Sequence, residues 1–157
     1  MALEIERRFL IKNDNWKQFI NKKVYIEQGY FSKSIDGWII RVRLIGKSSK
    51  ITLKKHIKSF TNFEFEYSIP RSDAEIIMSN LSNRIKKDRF FLEIEKKSWI
   101  IDCFKENNYP LEIAEIELSN EEEDLYLPSF ISKEITGLTQ YSNFSLANNP
   151  FSQWTED

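Results

Sequence analysis

Apolar and polar residues alternate with a period of two over much of the chain. Near the start, Leu3, Ile5 and Phe9 fall on odd positions and Glu4, Glu6 and Arg8 on even ones, with Arg7 breaking the pattern. Such a period marks a strand whose two faces meet different environments. It recurs at 38–44, which sets Arg41 and Arg43 against Ile40, Val42 and Leu44, and at 51–54, where Thr52 and Lys54 oppose Ile51 and Leu53. At 63–69 Glu64 and Glu66 interleave with three aromatics, at 85–92 Lys87 and Arg89 share a face, and 99–104 carries Asp102. Residues 113–118 set Glu115 and Glu117 against Ala114, Ile116 and Leu118, and 24–31 reads as a strand with less distinct faces. Aromatic and β-branched enrichment agrees, giving about eight strands. Gly46-Lys47-Ser48-Ser49 and Lys96-Lys97-Ser98 read as hairpin connections.

Helical patterns are fewer. Ser72-Asp73-Ala74-Glu75, after Pro70, has the form of a capping box, followed by Ile76, Ile77 and Leu81 on a helical stripe. Residues 14–22, with Asp14 as N-cap, predict a second short helix, and 120–125 the start of a third. Beyond Pro128 the pattern changes to short helices and loops. No linker or low-complexity segment interrupts the chain, so one domain over 1–157 is expected.

Composition narrows the class. Hydrophobic residues make up 41% and charged residues 30%, as in a soluble globular protein. Lys and Arg number 23 against 24 Asp and Glu, a formal net charge of -1, which argues against a nucleic-acid-coating protein. A single cysteine, Cys103, excludes an intrachain disulfide and reads as a structural thiol among Ile100, Ile101 and Phe104. No apolar run approaches the ~20 residues of a membrane span, and no signal core opens the chain; a cytoplasmic protein without membrane contact is expected.

The charged faces are the informative feature. A sheet with one wet face explains any single strand here. Across the set, however, like charges recur at i, i+2: Arg41 with Arg43, Glu64 with Glu66, Lys87 with Arg89, Glu115 with Glu117. Like charges so placed repel unless a neighbour or ligand compensates them. Closing the sheet into a barrel with these faces inward would collect both signs in one lumen. Burial on that scale needs pairing or a bound ligand. Polyphosphate with a divalent cation suits it: Arg and Lys bind phosphate oxygens, and carboxylates bind hard metals.

On these residues the chain resembles the CYTH proteins, or triphosphate tunnel metalloenzymes. Their E-x-E-x-K signature is matched by Glu4-Ile5-Glu6-Arg7-Arg8, then Phe9-Leu10. Further matches run in order: Gln28-Gly29-Tyr30, Arg41-Val42-Arg43, Thr52-Leu53-Lys54, Glu64-Phe65-Glu66-Tyr67, Lys87-Asp88-Arg89-Phe90, 99–104, 114–118, Glu134-Ile135-Thr136 and Tyr141-Ser142-Asn143. The resemblance covers nearly the whole chain. It implies an α+β, mainly β fold: an eight-stranded antiparallel closed β-barrel forming a tunnel, with a few helices packed outside. It implies that Arg8, Arg41, Arg43, Lys54, Lys87 and Arg89 bind triphosphate. Glu64 and Glu66 orient the basic residues or contact metal. Arg8, Tyr30 and Lys87 belong to the catalytic centre, and Glu4, Glu6, Asp102, Glu115 and Glu117 hold one or two divalent ions, Mg2+ or Mn2+. The chain departs from the signature at Arg8, which replaces its lysine and cannot act as a base.

The activity so implied is metal-dependent hydrolysis of a small triphosphate, foremost inorganic tripolyphosphate. The alternatives are a class IV adenylyl cyclase, a nucleoside or thiamine triphosphatase, and a non-catalytic polyphosphate-binding module. The expected partner is that small molecule, with no nucleic acid; a homodimer through outer barrel surfaces is left open. Glu93 and Glu95 are expected at a solvated hairpin end, His56 on the surface, and the 121–124 acidic run at the start of a helix, favoured by its dipole.

Overall fold

The computed structural model describes residues 2–155. Its strands are β1 (Leu3–Ile11), β2 (Ile20–Tyr30), β3 (Trp38–Ile45), β4 (Ser48–Lys58), β5 (Thr61–Ser68), β6 (Asn83–Ile94), β7 (Lys97–Phe104), β8 (Glu112–Glu117) and β9 (Ile131–Glu134). The helices are α1 (Arg71–Ser79) and α2 (Asn143–Asn148), with short 3-10 turns between elements. The order β5-β4-β3-β2-β6-β7-β8-β1-β9, with β1 also pairing β5, closes an eight-stranded antiparallel barrel and leaves β9 as an extra strand. Closure removes the exposed edges that an open sheet would present.

β1 is where the barrel closes, and its pairing is divided. One edge pairs continuously with β8, from Glu6 opposite Glu117 to Leu10 opposite Ile113. The other pairs with β5 through Leu3, Glu4 and Ile5, then with β9 through Phe9 and Ile11. Between them lies a seam, bridged by Arg8 N–H donating to Thr136 Oγ1 (2.9 Å) and Ile135 N–H donating to the Arg8 carbonyl (2.9 Å). Arg7, the break in the opening alternation, points outward and forks onto Glu134 of β9 at 2.9 and 2.8 Å.

The apolar strand faces point outward and are covered. Phe9, Trp99, Ile101, Ala114 and Ile116 pack with Trp16, Leu118, Phe130 and Ile131. Each large side chain so buried is worth roughly 1.5–3 kcal/mol. Ala74 and Met78 of α1 cover Val42 and Leu44. Gly29 lies under this helix, where a Cβ would stand 2.7 Å from Met78 Sδ. At one end of the barrel the inward positions turn apolar: Tyr30, Ile85, Phe104 and Ile113 pack against Ile135, Tyr141 and Leu146. The C-terminal chain therefore stoppers that end, and Trp154 joins it against Tyr141 with ring centroids 5.1 Å apart.

Local chemistry explains the hairpins. Gly46-Lys47 and Glu95-Lys96 are two-residue turns, flanked by the pairs Ile45–Ser48 and Ile94–Lys97. Gly46, Glu95 and Lys96 take φ of 53°, 52° and 61°. Such left-handed turn residues match the twist of the flanking strands.

The helices depart from the sequence pattern. The segment 14–22 forms only a 3-10 turn (Asn15–Phe19), because Ile20, Lys22 and Lys23 join the ladder opposite β6. Ser72 is not an N-cap: α1 starts after Pro70, whose carbonyl accepts from Ala74 N–H, and Glu75 instead accepts from Arg71 Nε. Residues 120–125 form turns rather than a helix. Their carboxylates are tethered to the barrel, Glu121 by the Thr61 hydroxyl and Glu123 by Lys97. Cys103 is half-buried and donates to Glu112 Oε2 at 3.3 Å. Burial and the Glu112 carboxylate push its thiol well up.

Candidate active site

Antiparallel register assembles the lumen. Inward positions on neighbouring strands come opposite one another, so several charges that repel along one strand meet an opposite charge or a polar group across it, although Glu6 faces Glu117. Arg8 of β1 faces Glu115 of β8, and Arg89 of β6 faces Asp102 of β7. Lys54 of β4 faces Glu64 of β5, and Gln28 of β2 faces Arg43 of β3.

One end of the lumen is acidic. Lys54 Nζ lies 2.5 Å from Glu4 Oε1, 3.7 Å from Glu6 Oε1 and 4.0 Å from Glu64 Oε2. Burial pushes Glu4 up to about 7, aided by Glu64 and opposed by Lys54. Glu6 is pushed to about 7 by burial, then by Glu115 and Glu4. Glu117, more exposed, is raised by burial and Glu4. One ammonium does not balance these carboxylates.

The middle is cationic. Asp102 is fully buried and accepts the Arg89 fork at 2.8 and 3.0 Å, while Lys87 Nζ reaches its Oδ2 at 2.8 Å. Burial works against the charged carboxylate, but Arg89 and Lys87 overcome it and hold Asp102 well below the usual range. Lys87, also without exposed surface, is pushed down to about 7 by burial and by Arg89 and Arg43, against the pull of Asp102. Arg43 is lowered by burial, Arg41 and Arg89. Arg8 Nε donates to Glu115 at 3.1 Å, and Arg41 Nη2 donates to Thr52 Oγ1 (3.0 Å) and Glu66 Oε2 (3.3 Å).

Two guanidinium nitrogens, Arg8 Nη2 and Arg41 Nε, are buried with no hydrogen-bond partner among the described residues. A buried donor left unmade costs about 1–3 kcal/mol, more when charged. Both residues line a cavity of about 850 Å³. A multivalent anion in that cavity would offset the cation excess, and a turn of the two guanidinium groups would bring their spare donors to it.

Of the sequence-selected residues, Glu6, Arg8, Tyr30, Arg41 and Lys54 line this cavity. Arg43, Lys87, Arg89, Asp102 and Glu115 form the buried layer linked to them, and Glu66 steadies Arg41 and Lys50. Asp102, expected beside a metal, instead has both oxygens taken by Arg89 and Lys87. His56, expected on the outer surface, lies exposed on the cavity wall, its Nε2 2.9 Å from the Ser59 carbonyl.

Sequence reasoning passed over Asn62, and it quoted Gln28, Thr136 and Asn143 as motif matches without giving them a role. Neutral polar residues carry no charge pattern that would flag them. Asn143, at the start of α2, accepts from Lys87 Nζ at 3.0 Å and so ties the C-terminal stopper to the buried ammonium. Asn143→Ala is expected to lower stability by about 1–2 kcal/mol, since Lys87 cannot turn to water; urea denaturation measures it, and an unchanged midpoint would count against this tie.

Hard carboxylate oxygens at the acidic end suit a divalent cation by donor chemistry, and Glu4 and Glu6 are raised first by burial and then by neighbouring carboxylates. Among the described residues, no group of three or more acidic, histidine or cysteine side chains is arranged to hold a metal ion as it stands. Lys54 occupies the space between Glu4, Glu6 and Glu64. No helix of the described residues is long and apolar enough to cross a membrane.

No model of a known protein family matches the chain. It is 34% identical over 158 residues to an inorganic triphosphatase of Acetivibrio thermocellus, across 99% of this chain and 100% of that relative. The crystal structure of another inorganic triphosphatase aligns with TM-score 0.68 and 26% identity, covering 94% of this chain and 95% of the other. A candidate adenylyl cyclase from Hippeastrum, with a dominant triphosphatase activity, aligns with TM-score 0.56 and 13% identity over 78% of this chain and 81% of its own; it shares the fold.

Proposed function

The chain belongs to the inorganic triphosphatase family, and we propose on that basis that it hydrolyses inorganic tripolyphosphate to pyrophosphate and phosphate within the barrel. The observation that carries this reading is the cation-rich layer of Arg43, Lys87 and Arg89 beside a cavity lined by Arg8 and Arg41, each of which has one buried guanidinium nitrogen without a partner. The ordered strand motifs add the CYTH assignment to it.

Arg8 and Arg41, on the cavity wall, bind phosphate oxygens through their guanidinium groups. Lys87, Arg89 and Arg43 behind them neutralise charge that builds on the transferring phosphoryl group and the pyrophosphate leaving group. Asp102 and Glu115 orient Arg89, Lys87 and Arg8 rather than touching substrate. At the acidic end Glu4, Glu6 and Glu117 would hold Mg2+ or Mn2+. Such an ion, when bound, polarises phosphoryl oxygens and makes a water more acidic. Arg8 stays protonated and cannot take the proton of the attacking water. That proton goes to a carboxylate, and Glu6 is the one on the cavity wall.

The test is phosphate release by the purified protein from tripolyphosphate, ATP and thiamine triphosphate, with Mg2+ and then Mn2+. Metal-dependent release from tripolyphosphate is expected, reduced by about 10²-fold or more in Glu4→Gln. Formation of cyclic AMP from ATP would replace the hydrolase reading with a cyclase. Binding of tripolyphosphate without turnover of any substrate would leave a binding module.

A further inference from the structure

Gln28 is a fully buried amide, with no exposed surface, on the inward face of β2. Its Oε1 accepts from Arg43 Nε at 2.9 Å, and its Nε2 donates to Tyr30 Oη at 2.8 Å. The orientation of this amide is not free. A guanidinium can only donate, so the carbonyl oxygen must face Arg43 and the NH2 must face Tyr30. The tyrosine oxygen is therefore used as an acceptor on that side. Its own hydrogen has no acceptor among the described residues. Tyr30 lies on the cavity wall, and its ring is fixed edge-on against Phe144 with centroids 5.8 Å apart.

From this chain of donors we infer that Gln28 is a positioning residue: held by Arg43, it polarises the Tyr30 hydroxyl and aims its hydrogen into the cavity. The acceptor is a phosphoryl oxygen of bound tripolyphosphate, so this inference rests on the function proposed above. Arg43 thus acts on substrate through two neutral groups as well as through its charge. A serial arrangement strengthens each hydrogen bond in it, because each donor is polarised by the one before.

The decisive variant is Gln28→Glu. It keeps the shape and the bond from Arg43, but a carboxylate can only accept, so the Tyr30 hydroxyl turns to donate to it and leaves the cavity. Turnover and tripolyphosphate binding are measured for the wild type, Gln28→Glu, Tyr30→Phe and the double variant. Gln28→Glu and Tyr30→Phe are each expected to lower kcat by about 10- to 100-fold, as for a lost hydrogen bond to a charged group. Once the hydroxyl is absent, adding Gln28→Glu is expected to change kcat by less than about 2-fold. A full second loss in the double variant would mean that the new carboxylate simply repels phosphate, and would overturn the inference. So would a Tyr30→Phe enzyme of wild-type kcat.

Gln28→Met, which removes the donor without adding charge, guards against misfolding of the first variant. Its loss is expected to be smaller and likewise to vanish in the Tyr30→Phe background. Calorimetric Kd values separate this inference from the enzyme reading. Coupling between positions 28 and 30 in tripolyphosphate binding, in a protein without turnover, would uphold the positioning role and reject the hydrolase. Turnover with additive effects at the two positions would do the reverse.

Discussion

Replacing Asp102 with alanine is expected to destabilise the fold by about 3–5 kcal/mol, the usual result of removing one partner of a buried ion pair. Asp102 and Lys87 have no exposed surface, so the ammonium cannot regain water once its carboxylate is gone. Arg89 loses both arms of its fork at the same time. Asp102→Asn keeps the volume but turns an NH2 donor toward cations, and is expected to cost nearly as much. The pH dependence gives a second check. Asp102 has a folded-state pKa below the unfolded value of ~3.9. Its stabilising contribution is complete above that value and is lost as pH falls through the folded one. The gap between wild type and Asp102→Asn should therefore be widest near neutral pH and close in strong acid. Tripolyphosphate, supplying the missing negative charge, should raise the melting temperature of the variant more than that of the wild type. Equal urea midpoints at pH 7 would refute the role given to Asp102.

Arg8→Ala is expected to lower kcat/KM for tripolyphosphate by about 10²- to 10³-fold, the range for losing a preorganised donor to developing charge. The effect on stability should be small by comparison. Arg8 leaves one buried nitrogen unpartnered, and Glu115 retains Arg89 at 4.0 Å when Arg8 is gone. Arg8→Lys restores the signature residue and keeps the charge but gives up the planar fork. An intermediate rate, about 10-fold below wild type, is expected if Arg8 acts by bidentate phosphate contact. A faster Arg8→Lys enzyme would show that the arginine restrains the chemistry. Steady-state kinetics with a thermal melt on each variant separates these outcomes. An Arg8→Ala enzyme within about 3-fold of wild type would remove Arg8 from the site.

The residues of the lumen were readable before the fold was known. Because successive side chains on a strand point to opposite faces, the alternation that put Arg41 with Arg43, and Glu115 with Glu117, had already sorted them onto one surface. The departures have the same kind of cause each time. Residues 20–22 read as helical by their neighbours yet became strand because β6 offered a ladder. Ser72 fitted a capping pattern, but Pro70 set the helix start. β9 is only 4 residues long and too short to show a period. Gln28 and Asn143 carry no charge, so their roles became visible only when Tyr30, Arg43 and Lys87 came within hydrogen-bonding distance.

The sequence by itself determined the two faces of most strands, the Gly46-Lys47 turn and the set of charges, because these depend on backbone geometry repeating over neighbouring residues; the second hairpin turn fell one residue earlier than expected, at Glu95-Lys96. Tertiary structure decided that the charged face is the inside, through closure of β1 on β5 and the apolar cover around the barrel. It also set Asp102 against Arg89 and Lys87, turned Arg7 to the outside onto Glu134, and brought the Tyr30 oxygen to the Gln28 amide. Those outcomes depend on register between strands far apart in the chain, where a shift of one residue would exchange every partner.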